Sequence, residues 1–315
     1  MAKKLQYRVR NWQDYNRALV NRGDVTLWIN EDVVEKWYWD DVSAKAGSPR
    51  IYADLAIECA LSLRSLFHLP LRATQGFLRS ILAISGVNLS APDYSTISRR
   101  AALLSIDLGS QRAAGEHVII VVDATGLKVY GEGEWKIRTH GKDKRRSWRK
   151  LHLAINRKTH LIEAARLTAS NRHDCEETEA LMNEVGTCDR VIADGAYDND
   201  KSYSAIDNIG ARALIPPRSG AALTPHLKRK PISWGMVQRN SNIHGVWRLG
   251  RKEWKKATGY HQRSLAETGI GRFKTIFGPG LKSRAMARQV AEARIKCRVM
   301  NRLTELGMPR SERLP

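Results

Sequence analysis

Cysteine is scarce in this chain and poorly placed for either pairing or metal binding. Cys59, Cys175, Cys188 and Cys297 are the only four in 315 residues. They form no C-x-x-C pair and have no histidine cluster at zinc spacing, so isolated buried thiols are expected. Cys175 and Cys188 flank a helical segment, but an intracellular compartment argues against joining them. Long apolar runs are missing as well: none approaches the roughly 18 residues of a membrane span. The opening MAKKLQYRVRNWQDYNR lacks the apolar core of a signal peptide, which points to a soluble intracellular protein. Acid is the third shortage, with 32 Asp and Glu facing 53 Lys and Arg for a net charge of +21. Such a surface repels itself unless an anionic partner offsets it; nucleic acid is the first candidate and a membrane surface the second. Internal repeats and low-complexity tracts are absent. What is present is 42% hydrophobic content, enough to build the core of one large domain or two smaller ones.

The first 112 residues read as almost wholly helical. WINEDVVEKWYW and IYADLAIECALSLRSLF carry apolar residues at three- and four-residue spacing, without strand signals. From Leu69 the text reads as a helix of about 14 residues ending at Gly86, a loop with Pro92, and a second helix capped by Asp93 or Ser95. Ser95, Thr96, Ser98, Arg99 and Arg100 crowd the first two turns of that second helix. Small polar and basic side chains there suit insertion into a major groove, with Arg99 and Arg100 as phosphate contacts. An ordinary helical hairpin with a solvated basic face is the alternative. Residues 1–112 are read as a helix-turn-helix-type DNA-binding region.

After Gly115 the texture changes. HVIIVVDAT is a continuous β-branched run, and WRKLHLAIN and LIEAARLTAS alternate around the turn NRKTH. DCEETEALMNEVG then reads as a helix, CDRVIADGAYD as a short buried strand, KSYSAIDNIG as a helix and ARALIPP as a strand. Three strands followed by helix, strand, helix and strand is the order of a ribonuclease H-like core. That core is an α/β fold with a mixed five-stranded sheet flanked by helices, here divided into a first part at 113–215 and a completion at 258–315. Between them, residues 216–257 carry prolines at 216, 217, 225 and 231 and dense basic residues among Trp234, Trp247 and Trp254. This reads as an insertion or long loop, functional or disordered. Its tryptophans, Trp247 among them, either pack in the core or stack on an unpaired base.

Two carboxylates stand out. Asp123 closes VIIVVD and Asp194 closes VIAD, so each ends an apolar strand, where a carboxylate is paired, caps a turn or ligates something. On neighbouring parallel strands they would sit side by side, repelling each other unless divalent cations lie between them. YHQRSLAETGIGRFKTIFG, residues 260–278, reads as one helix on which Tyr260, Arg263, Glu267 and Lys274 fall within about 60° of each other. As a solvated ion-pair ladder the stripe is worth only about 0.3–0.5 kcal/mol. With two strand-borne aspartates it supplies a third carboxylate, Glu267. Three carboxylates suit two hard cations about 3.5–4 Å apart for in-line phosphoryl transfer, and Arg263 and Lys274 can hold phosphates.

DATGLKVYG (123–131), DGAYD (194–198) and Tyr260-x2-Arg263-x3-Glu267-x6-Lys274 resemble the three signature blocks of DDE transposases from bacterial insertion sequences, the last at every specified position. WRKLHLAIN, SNRHDCEET and GFLRSILAISGVNLSAPDYSTISRR are similar to the insertion-sequence-five family in particular, and the likeness covers roughly residues 20 to 305. The resemblance implies a Mg²⁺-dependent enzyme, with Mn²⁺ as the substitute. It would bind its element's terminal inverted repeats, nick to release 3′-OH groups and join them to target DNA. It implies Asp123, Asp194 and Glu267 as the catalytic, metal-ligating triad and Arg263 and Lys274 as DNA contacts. Tyr260 is expected as a packing or phosphate contact, since tyrosine recombinases need an arginine and histidine set of different spacing. Double-stranded DNA is the implied partner, a homodimer or larger assembly follows from the need to bring two ends together, and the setting is the bacterial cytoplasm and nucleoid. His173, beside Asp174 at a helix start, is expected to be structural rather than a ligand. The competing readings are a DNA-binding regulator or inactive domesticated relative, which needs no acidic set, and a structure-selective nuclease, which lacks strand transfer.

Overall fold

The computed structural model of the chain describes residues 7–39, 51–109, 112, 116–129, 147–225 and 232–314. Tyr130 and Gly131 of the first signature block, and residues 226–231 of the basic segment, lie outside the described residues. The chain forms two compact units, Met1–Ile106 with Arg298–Pro315, and Asp107–Cys297.

In the first unit, strand β1 (Tyr7–Val9) precedes α1 (Trp12–Asn21), α2 (Glu31–Glu35), α3 (Asp54–Leu66), α4 (Leu71–Ile84) and α5 (Tyr94–Arg100). β1 pairs antiparallel with Ser311–Arg313, a pairing for which three-residue strands give no periodic signal in sequence. α3 buries Ala56, Ile57, Ala60, Leu61 and Leu63, and the fully buried Leu78 and Leu82 of α4 and Ile97 of α5 complete this core. Asp93 is the N-cap of α5, its carboxylate accepting the Ser95 N–H at 2.8 Å. Residues 85–93 join α4 to α5, longer than the three- or four-residue turn of a compact helix-turn-helix. The 258–315 segment, expected to complete the core as one piece, is divided, because its residues from Arg298 onward belong to this unit.

The second unit is built on β2 (Ile119–Val129), β3 (Trp148–Asn156) and β4 (Ile162–Ala169), an antiparallel meander. It continues through α6 (Thr178–Val185), β5 (Arg190–Ile192), α7 (Asp200–Asn208) and β6 (Arg212–Leu214). The strand order is β4-β3-β2-β5-β6, with β5 parallel to both β2 and β6. This is the ribonuclease H-like arrangement. Strand β7 (Gly280–Leu281) pairs with the far end of β2 at Lys128 and Val129. The central strand reads as a continuous apolar run because both its faces are covered. Ile120 and Val122 pack with Leu181, Met182, Tyr203 and Ile206 of α6 and α7 on one face. Ile119, on the other, packs with Ile192, Leu214, Trp254 and Tyr260.

The basic segment is not a loop throughout. Trp234–Thr258 is a 25-residue helix, α8, broken at Gly250. All four prolines precede it, and Ser233 caps it by accepting the Met236 N–H at 3.3 Å. Its buried residues, Gly235, Met236, Asn242, Ile243 and Trp254, lie far apart on a helix otherwise covered in cations, so the apolar period is diluted below recognition. Gly259 ends it at φ 72°, the left-handed conformation that glycine adopts without a Cβ penalty. Two further helices complete the chain, α9 (Ser264–Phe277) and α10 (Met286–Glu305).

Candidate active site

Strand pairing places the two aspartates before any side chain is considered. The parallel β2–β5 ladder matches Ile119 with Arg190, Ile120 with Val191 and Val121 with Ile192. Two residues on, the same offset sets Asp123 level with Asp194, which lies just past the end of β5; Asp123 does not end its strand as expected but sits mid-strand, because β2 runs on to Val129 paired with β3. Side chains alternate along a strand, so both carboxylates leave the sheet on the face of Ile119 and Ile192, the one covered by Trp254 and Tyr260. Asp123 accepts its neighbour's Ala124 N–H at 2.9 Å. Asp194 caps the 3₁₀ turn Gly195–Tyr197, accepting the Ala196 N–H at 2.9 Å.

The third carboxylate comes from α9, which buries Ala266, Gly269, Phe273 and Phe277 at three- and four-residue spacing against the sheet. A Cβ on Gly269 would run into the Ile155 side chain, so glycine sets the depth at which the helix lies. Glu267, one step round the helix, is exposed. The stretch read as one helix is in two parts: Tyr260–Arg263 is a 3₁₀ turn following Gly259, and the α-helix begins at Ser264. Tyr260 and Arg263 therefore leave the stripe that uniform 100° steps assign them.

Arg263 takes the position at the focus of the acids. Its Nη1 meets Asp123 Oδ2 at 3.2 Å and its Nη2 pairs with Glu267 Oε1. Burial pushes the Asp123 carboxyl up; the Ala124 N–H and Arg263 oppose this, while the charges of Asp194 and Glu267 add to it. Arg263 itself is shifted further up, because the three carboxylates and Tyr260 outweigh its partial burial. A fixed cation thus holds together acids that would otherwise repel. Among the described residues no three acidic, histidine or cysteine side chains stand ready as a cation cage. Even so, the donor set fits a hard divalent ion: it is all carboxylate oxygen, it draws on two strands and a helix, and its focus already carries positive charge.

Tyr260 is buried, its ring 6.0 Å from that of Trp254 and under the Lys255 ammonium at 5.2 Å. Burial pushes its hydroxyl up to about 12, with Arg263 opposing and Asp194, Asp123 and Glu267 adding. Of the two expected roles, packing or phosphate contact, its burial against Trp254 is the packing one. Lys274 lies two turns beyond Glu267 on α9 and is half-buried.

Sequence reasoning missed the groups that hold Asp194. Arg218 grips the turn after it, donating to the carbonyls of Gly195 at 3.1 Å and Ala196 at 2.9 Å. Asp198, closing the same turn, is buried; it accepts the Arg218 N–H at 2.8 Å and pairs with Arg239 of α8 at 2.8 Å. The available signal was the second acid of DGAYD, an aspartate inside an otherwise buried turn. Of the tryptophans in the basic segment, Trp254 is core, whereas Trp234 and Trp247 are exposed, the latter edge-on to His244 at 5.5 Å. His173 is exposed at the start of the 3₁₀ turn Asp174–Glu177, and Asp174 pairs with Lys150 at 3.1 Å. All four cysteines are free thiols, Cys175 partly exposed and the others buried.

In the first unit, Ser95, Thr96, Ser98, Arg99 and Arg100 do not form one surface. Arg99 is exposed and donates to Thr96 Oγ1 at 3.3 Å. Arg100 is buried and spent on the Tyr52 carbonyl and the Asp54 carboxylate. It is withdrawn from any phosphate, because the last turn of α5 faces the core beside Ile97. No helix among the described residues is long and apolar enough to cross a membrane.

Residues 114–302 match the family model described as Transposase DDE domain, and residues 20–132 match a second model of the same description. Among solved structures, the chain is similar to the piggyBac transposase in its synaptic complex with hairpin DNA. The identity is 10%, covering 91% of this chain and 76% of that one, at a TM-score of 0.38. It is also similar to the Drosophila P element transposase in its strand transfer complex, at 11% identity over 87% and 85% of the two chains and a TM-score of 0.30. The strand order itself is set by the chain's own hydrogen bonding.

Proposed function

The chain belongs to the family of transposase DDE domains, and from that premise we propose that it binds the terminal inverted repeats of a bacterial insertion sequence of the insertion-sequence-five type, cleaves DNA there and joins the freed 3′ ends to target DNA. The observation that carries this reading is the level placement of Asp123, on β2, and Asp194, just past the parallel strand β5, with Glu267 tied to Asp123 through Arg263.

In this proposal Asp123, Asp194 and Glu267 hold the divalent cations, Mg²⁺ or Mn²⁺ in its place. When bound, the cations supply Lewis acidity at the scissile phosphate and favour deprotonation of the attacking water or 3′-OH. With those carboxylates turned to the cations, Arg263, which pairs with Asp123 and Glu267 here, would be free to present its planar fork to a phosphate oxygen. Lys274 adds a second phosphate contact further along α9. Tyr260, buried with its ring against Trp254, closes the floor of the site. Strand transfer needs two ends in one assembly, which makes a dimer or larger complex on DNA part of the proposal.

The test uses the DNA bordering the coding region as paired donor ends, with Mg²⁺ and a supercoiled plasmid. Joined donor–plasmid products are the expected result. Nicking without joining would instead mark a nuclease, and binding without cleavage a regulator. In the helical unit, Arg99→Gln should weaken binding about equally for all DNA sequences and flatten the plot of log K against log salt by about one phosphate, roughly 0.9 in slope. Anisotropy titrations with two unrelated duplexes check this, and loss of preference at a single base pair would contradict it.

A further inference from the structure

Arg190 and Arg212 are matched residues on neighbouring parallel strands, so their side chains leave the same face one strand spacing apart, about 4.8 Å. Like charges so placed repel. Arg157, just past β3, is bound through its N–H to the Ile119 carbonyl, and Ile119 is itself matched to Arg190. Three guanidinium groups thus line one end of the sheet, spanning about three strand spacings, roughly 14 Å. They border an open cavity of about 540 Å³ together with His117, Lys158 and Asp189. The carboxylate there is already engaged, by His117 at 3.0 Å and by the Val118 N–H at 2.5 Å. Lys158 is matched by Glu116 at 2.8 Å. Among the described residues none of the three arginine side chains has an acidic or hydrogen-bonding partner. Arg190 and Arg212 also line a second cavity of about 390 Å³ together with the exposed Trp234.

This row is separate from the carboxylates. Arg190 precedes Asp194 by four residues, about 13 Å of strand. Between them lie Ile192 and Leu214, covered by Trp254 and Tyr260. A strand presented to Asp123 and Asp194 cannot cross that packed layer to reach the arginines. Repelling cations kept together with no carboxylate paired to them among the described residues call for an anion with several charges at spacings of a few ångströms, as successive phosphodiesters provide.

We propose that Arg157, Arg190 and Arg212 form a second seat for a DNA backbone, holding a segment other than the one at the carboxylates. The proposal rests on the chain being a DNA-binding transposase. It is tested with the triple variant Arg157→Gln/Arg190→Gln/Arg212→Gln of the full chain, a random-sequence duplex and inorganic tripolyphosphate. The variant should bind the duplex with a salt slope shallower by about two to three units, about 0.9 per lost phosphate contact. Without anion it should melt no lower than the parent, since repulsion is relieved, and the rise in melting temperature that tripolyphosphate gives the parent should be lost. An unchanged slope overturns the proposal, and an unchanged slope with lost tripolyphosphate protection assigns the seat to a free polyanion instead. A parent protein with no salt-dependent DNA binding would refute the transposase reading itself, a result distinguishable from the other two.

Discussion

Asp194→Asn is expected to lower DNA cleavage by about 10³-fold or more, the equivalent of about 4 kcal/mol of barrier, while DNA affinity stays within about twofold. The amide keeps the shape and can still accept the Ala196 N–H that caps the turn, so the fold has no reason to change. What it loses is a charge that raises the Asp123 carboxyl across the strand pair. The variant should therefore melt at the same temperature as the parent or slightly higher, which separates lost chemistry from lost structure. Asp123→Asn and Glu267→Gln should behave alike in cleavage but not in stability, because each also removes one of the two ion pairs of Arg263. A fully active Asp194→Asn protein would refute the assignment of the triad.

Asp198→Ala should be the most destabilising single change near the site, by about 3–5 kcal/mol. Asp198 is 1% and Arg239 13% exposed at the side chain, so removing the acid leaves a guanidinium buried without its counter-charge. In a unit of this size the melting temperature should fall by about 10 °C. The backbone N–H of Arg218 loses its acceptor in the same step, and the turn that presents Asp194 loosens. Cleavage should decline even at temperatures where the variant is folded, with DNA affinity little affected. Replacing both partners, as Asp198→Leu with Arg239→Met, should recover much of the stability by removing the orphaned charge, without restoring cleavage. Equal melting temperatures for Asp198→Ala and the parent would contradict the buried pair.

The candidate site was legible in proportion to how local its determinants are. Asp123 and Asp194 could be picked out because each closes a run that only a covered strand explains. Glu267 could be picked out because its spacing from Arg263 and Lys274 repeats on a helix. The 3₁₀ turn at Tyr260–Arg263 was not legible, since a glycine ending one helix and a turn opening the next look like one helical period. Nor was α8, whose buried residues are separated by cations and by the break at Gly250. Arg99 and Arg100 are adjacent in sequence and chemically alike, yet one is exposed and the other buried on Asp54. Their 100° separation on the helix decides this, but only once the position of the core is known.

Patterns along the chain were enough for the strand and helix order from residue 119 to 214, the excess of positive charge and the three acids proposed for the site. These follow from composition, periodicity and spacing, properties of neighbours along the chain. It took the tertiary structure to place Arg263 between Asp123 and Glu267, to fix the turn of Asp194 with Asp198 and Arg218, and to set Arg190 level with Arg212, neither side chain paired among the described residues. Each of these joins residues from different elements, and at the buried Asp198 the water that would otherwise screen the charges is removed as well. Their consequences depend on register and depth, which no stretch of sequence contains by itself.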